Sequence, residues 1–173
     1  LHEMIQSGYH ARAINNPVAG YAVLARLHVF QGQLHEAYDI YQKAALLIQE
    51  TDGQHAGVSG LVDVGVAALR YEWGDLQAAL ERVKHGLGLL PLWGKADDVC
   101  LANLTLSRIQ LALGNLAEAE VALEKAAQLI QTRGVFSEAR SAVEASQVKM
   151  WLARGDQPAV DRWAAALDRR LGS

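Results

Sequence analysis

The chain has 173 residues, roughly one domain at about 150 residues per domain, with 51% hydrophobic and 20% charged residues and a net charge of -3. That composition excludes a disordered chain, which has too little apolar surface to bury. It gives no support to direct nucleic-acid contact, which goes with a strongly basic balance. Alanine (29) and leucine (25) dominate and proline numbers only 3, so helix is the expected element throughout.

The chain opens on Leu1-His2-Glu3-Met4, with neither a basic start nor an apolar core, so it is not a signal peptide. It has no initiator Met and is expected to be a piece of a longer chain. Residues His2–Ile14 read as the second helix of a repeat whose first half is missing. A first helix is then expected over Val18–Gln31, a turn at Gly32, and a second helix over Leu34–Glu50. The same succession returns three times. Val58–Trp73, Gly74 and Leu76–Leu90 follow the breaker Asp52-Gly53. Ala96–Leu113, Gly114 and Leu116–Arg133 follow Pro91 and Gly94. Phe136–Arg154, Gly155 and Pro158–Leu171 follow Gly134. Gly86 and Gly88 weaken the second helix of the second pair, whose C-terminal end is expected to fray.

The turn glycines are 42, 40 and 41 residues apart. Each opens a related hexamer: Gly32-Gln33-Leu34-His35-Glu36-Ala37, Gly74-Asp75-Leu76-Gln77-Ala78-Ala79, Gly114-Asn115-Leu116-Ala117-Glu118-Ala119, and the degenerate Gly155-Asp156-Gln157-Pro158-Ala159-Val160. Glycine tolerates the left-handed backbone that ends a helix. Asp75, Asn115 and Asp156 are suited to cap the next one, and Asn115 with Glu118 has capping-box spacing.

Aligned on these glycines, further columns agree. Ala25, Ala67, Ser107 and Val148 stand seven residues before, and Leu27, Leu69, Ile109 and Met150 five before. Ala37, Ala79, Ala119 and Val160 stand five after, and Tyr41, Val83, Leu123 and Ala164 nine after. Ile48, Leu90, Ile130 and Leu171 stand sixteen after. A helical hairpin cannot bury its apolar face alone, so stacked neighbours are expected to share a core. The whole is read as one repeat domain, 1–173, with a partial repeat 1–16 and repeats 17–55, 56–95, 96–135 and 136–173. Its cut ends are expected to be sticky and to allow end-to-end self-association.

The pattern Gly-x-Leu-x-x-Ala followed by an aromatic or aliphatic residue and Ala (Ala37, Tyr41 and Ala44 in the first copy) resembles the tetratricopeptide repeat. The period near 41 departs from the usual 34. The long-period form resembles the repeat region of MalT-type, LuxR-family, ATP-dependent transcriptional activators. Three phrases carry the likeness: Tyr71-Glu72-Trp73-Gly74-Asp75-Leu76-Gln77-Ala78-Ala79, the stretch from Leu24-Ala25-Arg26 to Glu36-Ala37, and Trp151-Leu152-Ala153-Arg154-Gly155-Asp156 followed by Trp163-Ala164. Together they span most of the chain. The resemblance implies an all-α, right-handed superhelical α-solenoid. It also implies a cytoplasmic sensor arm that binds an inducer or a regulatory protein, while an ATPase and a DNA-binding domain lie elsewhere in the parent protein. A general protein-binding scaffold outside transcription is the alternative.

The residues offer no catalytic constellation, so no enzyme, cofactor or metal is expected. The stretch from Gly88 to Ala96 has five residues between its glycines instead of four, Ala in place of Ser or Thr, and no preceding strand, so it fails as a phosphate loop. No two of the six histidines share the i, i+4 spacing of a helical metal site. Asp97-Asp98 suit a helix N-terminus, and Cys100, the only cysteine, is expected to be a buried structural thiol. No run of about 18 apolar residues suggests a membrane span. Trp73 and Trp163 are expected to pack between helices, and Trp93 to fasten the connector onto the array.

One column carries charge. Six residues before each turn glycine stand Arg26, Ala68, Arg108 and Lys149, and one helical turn on lie Phe30, Tyr71, Leu111 and Leu152. In tetratricopeptide arrays the first helix of each repeat lines the groove, so these positions are the candidate site for an acidic peptide or a polar small ligand. The competing reading pairs each cation with a carboxylate of the adjacent helix, or lets it snorkel over apolar neighbours.

Overall fold

A computed structural model describes residues 2–49, 56–92, 95–133 and 137–171. The described residues form eight α-helices: α1 (His2–Phe30), α2 (Leu34–Gln49), α3 (Ala56–Glu72), α4 (Leu76–Leu89), α5 (Ala96–Ala112), α6 (Leu116–Arg133), α7 (Ser137–Arg154) and α8 (Gln157–Leu171). A 3-10 turn, Leu90–Leu92, extends α4. Consecutive helices pair as hairpins. The first helices then meet one another in order, α1 with α3, α3 with α5 and α5 with α7. Among the described residues no second helix meets another second helix. The first helices therefore form a continuous inner layer while the second helices splay on the outside, the geometry of a curved α-solenoid.

The joints follow the repeat glycines. Among the described residues the positive-φ positions are Gly32, Gly74, Gly114 and Gly155, at 76°, 79°, 81° and 70°. Each closes a Schellman turn: Gly114 N–H donates to Leu111 O (3.1 Å) and Asn115 N–H to Gln110 O (2.9 Å), with the same pair of bonds at the other three joints.

The expected side-chain caps are corrected at two of the three positions. Asp75 makes no cap hydrogen bond; it accepts from Arg70 Nη1 instead (2.6 Å). Asn115 Nδ2 donates back to Gln110 Oε1 (2.8 Å), and Gln33 Oε1 lies 2.6 Å from His28 Nδ1. A Schellman turn brings the residue after the glycine beside the one five positions earlier, so that partner wins over the next helix. Only at the fourth joint, where Trp151 occupies the earlier position, does Asp156 cap, accepting from Ala159 N–H (3.1 Å).

The core is a chain of three clusters rather than one. The first lies among α1, α2 and α3 around Tyr41 and Leu69. The second is carried by Ala67, Ala79, Val83 and Ile109, and the third lies among α5, α6 and α7 around Cys100, Leu123 and Met150. The repeat columns supply them: Ala37, Ala79 and Ala119 are fully buried, as are Ala25 and Ala67. Ser107 takes the same place in the third repeat, and its hydroxyl donates to Ala119 O across the hairpin (2.8 Å).

Three further expectations change. First, α1 runs unbroken through Pro17, so no joint separates His2–Ile14 from Val18–Gln31; an internal proline removes one backbone bond and strains the helix without forcing a turn. Second, the α4 end does not fray at its glycines. Gly86 packs on Gly60 of α3 so closely that a Cβ on either would stand 2.9 Å from the other's carbonyl oxygen, and the helix continues to Leu89. Third, α8 begins at Gln157 rather than Pro158. Phe136, Trp93 and Gly94 lie outside the described residues.

Candidate functional site

A hollow of about 250 Å³ opens between α1, α3 and α5 in the inner layer. Its floor is made where side chains are smallest. Gly65 and Ala68 stand one turn apart on α3 and remove bulk from the same face, and Ala19 and Ala22 of α1 do so opposite. Apolar walls come from Val23, Phe30, Leu61, Val64 and Leu101. Tyr41 of α2 closes the back: it is 1% exposed, and its ring lies so close over Gly65 that a Cβ there would fall 2.0 Å from Cζ. Burial pushes the Tyr41 phenol up to about 12, and the nearby charge of Arg26 opposes part of that rise. The hydroxyl is therefore a neutral hydrogen-bonding group at ordinary pH.

Charge is placed at the rim. Arg26, Lys95 and Arg108 line the cavity together with Asp98. Arg108 is committed: its Nη2 donates to Glu72 Oε1 (2.8 Å), and its guanidinium carbon sits 4.5 Å from the centroid of the Tyr71 ring. Arg26 is exposed and has no carboxylate partner among the described residues.

The groove column therefore divides. Arg26, Phe30 and Arg108 line the cavity, and Ala68 forms its floor. Tyr71 does not line it but buttresses Arg108. Leu111 turns toward the third core cluster. Lys149 is exposed on α7, and Leu152 is 57% exposed there; neither lines the cavity. The competing reading holds for Arg108, whose partner Glu72 is on the adjacent first helix.

Gly65, Lys95 and Tyr41 were not among the expected site residues. The signal for Gly65 is present in the repeat alignment: nine residues before the turn glycines stand Val23, Gly65, Thr105 and Ser146, and the glycine is the one gap in that column.

Other chemistry-bearing residues take structural places. Cys100 is fully buried, its Sγ donating to Ala126 O (3.6 Å). Burial first, and then the charge of Asp97, raises its thiol above the ordinary value of 9.0, which disfavours a reactive thiolate. Asp63, nearly buried on α3, accepts from Arg82 Nη1 (2.6 Å) and lies 2.7 Å from His85 Nδ1, fastening α4. Trp73 rests on His35 and Tyr38 of α2 with ring centroids 5.8 and 5.6 Å away, but stays 42% exposed. Trp163 is half-buried, and its Nε1 has no partner among the described residues. Among the described residues no group of three or more His, Cys, Asp or Glu is placed to hold a metal. No described helix is long and apolar enough to cross a membrane.

The family model for the MalT-like TPR region matches residues 1–171. The chain belongs to the MalT-like TPR region family. No curated protein and no solved structure matches it. In this MalT-like region the smallest side chains of the inner layer fall together in the second repeat, and the cavity is the result.

Proposed function

We propose that this chain is a non-catalytic sensor and interaction arm of a LuxR-family, MalT-like transcriptional regulator, and that its concave face receives an inducer or a regulatory protein. Family membership supports the regulator. The observation that carries the binding role is the cavity between α1, α3 and α5, with Arg26 free of a carboxylate among the described residues at its rim. Concave, mostly apolar hollows with a few convergent polar groups are the usual form of ligand sites. Nucleotide switching and DNA contact belong to other domains of the parent protein in this reading, which works in the cytoplasm. Leu24 and Leu27, 43% and 53% exposed on the outer side of α1, are the apolar surface through which end-to-end association would run.

The parent reading frame tests the regulator. A phosphate-loop ATPase upstream and a helix-turn-helix domain downstream are expected; their absence overturns it and leaves the general scaffold. Charge reversal of Arg26 and Arg108 together tests the groove. Binding of the effector or partner by the parent protein is expected to fall at least tenfold, since each charge-assisted hydrogen bond contributes about 1.5–3 kcal/mol. Unchanged affinity with an unchanged circular dichroism spectrum overturns the role of the groove.

A further inference from the structure

We propose that the α1–α3–α5 cavity is a site for a small amphiphilic carboxylate, its hydrocarbon body lying over Gly65 and Ala68 and its carboxylate held by Arg26 and the Tyr41 hydroxyl. The inference rests on the reading of the concave face as the binding face and names the ligand class that face would take.

Three observations carry it. The first is the placement of Tyr41. The residue is 1% exposed and lines the cavity, close enough to Arg26 for that charge to act on its phenol. A phenol kept neutral can donate to an anion. The second is the charge balance of the rim. Arg108 is occupied by Glu72, whereas Arg26 has no carboxylate partner among the described residues. An arginine without a carboxylate at the mouth of an apolar hollow attracts an anionic head group.

The third observation is the apolarity of the walls. Any polar group turned toward Leu61, Val64 and Leu101 would be buried against hydrocarbon. A hydrocarbon body loses nothing there and gains about 25 cal/mol for each Å² removed from water. A volume of about 250 Å³ falls just below the ~300–1,000 Å³ of sites that take drug-sized ligands, which limits the body to a short chain or a single ring.

Isothermal titration of the 173-residue chain with octanoate at pH 7 tests the inference, with octylamine as the same body carrying the opposite charge. Octanoate is expected to bind one site per chain, at least tenfold more tightly than octylamine. Arg26→Met is expected to weaken octanoate at least tenfold, and Tyr41→Phe about threefold. Ala68→Leu, which fills the floor, is expected to abolish the heat while leaving the helical spectrum intact. Equal affinity for octanoate and octylamine, octanoate affinity unchanged in Arg26→Met, or no binding by the wild-type chain each overturn the inference. A hexaglutamate peptide separates this failure from that of the wider reading. If the peptide binds and charge reversal of Arg26 and Arg108 releases it, while octanoate does not bind, the carboxylate site falls and the interaction arm stands.

Discussion

The two ends of the inner layer are built from the same repeat columns and come out differently. Between α1 and α5 the column six residues before the turn brings Arg26, Ala68 and Arg108 around a cavity. On α7 the same column carries Lys149, exposed, with Leu152 one turn on, also exposed and outside that cavity. The difference lies in α3, where two successive inward positions, Gly65 and Ala68, lack bulk. Stacked first helices produce a groove in every repeat; a deeper hollow also needs a gap in the side-chain lining.

The harshest way to break that contrast is to remove the cavity's back wall. Tyr41→Ala deletes a fully buried ring, and by analogy with other buried aromatics is expected to cost about 3–5 kcal/mol, read as a lower urea midpoint. Filling the floor from the other side comes next. Gly65→Ala puts a methyl into the Tyr41 ring, and overpacking of this kind costs about 1–3 kcal/mol. Ser146→Ala, the same repeat position on α7, removes only a bond to its own helix at Ala142 O and is expected to change stability by less than about 0.5 kcal/mol. Equal effects at 65 and 146 would refute the claim that the two ends differ.

Alkali gives a third measure. The Tyr41 phenol ionises near 12 in the folded chain against 10.0 when free. Stability is therefore intact below pH 10 and is lost as pH climbs toward 12, because the unfolded chain sheds its proton first. At pH 11 the tyrosine's share of the loss is about 1.4 kcal/mol, and it is expected to vanish in Tyr41→Phe, whose urea midpoint should change less between pH 9 and pH 11.

A fourth variant pair tests the joints that both ends share. Gly114→Ala places a Cβ at φ +81° and is expected to cost about 1–2 kcal/mol. Gly88→Ala, inside α4 with open space where the Cβ would go, is expected to stabilise by about 0.5–1 kcal/mol; thermal midpoints moving in the same direction would contradict the assignment of the joint. The smallest effect is expected at the rim: Glu72→Gln removes a half-exposed ion pair with Arg108 and should cost no more than about 0.5 kcal/mol.

Much of the array was legible because its signals are local and repeated. The four glycines that end first helices in the alignment are the positive-φ residues among those described, and the alanines five residues on are buried in the first three repeats. The columns mislead at the ends. Leu27 shares its column with the fully buried Leu69 and Ile109, yet is 53% exposed, because no described helix packs on that side of α1. Ala164, in the column of Tyr41 and Val83, is likewise exposed on α8. A column records what a middle repeat buries; the first and last repeats have one neighbour fewer.

The sequence by itself determined the helical hairpins, their period near 41, their joints and the alanine seams, since turn chemistry and apolar periodicity act within one repeat and recur in the next. Only the tertiary structure decided which groove positions converge, that Arg108 spends its charge on Glu72 while Arg26 keeps its own, and that Tyr41 of one repeat closes a hollow floored by Gly65 of the next. Those outcomes depend on the distance between helices that are some forty residues apart in the chain. That distance is set by side-chain volumes meeting across the interface, which a column of residues read along a single helix does not contain.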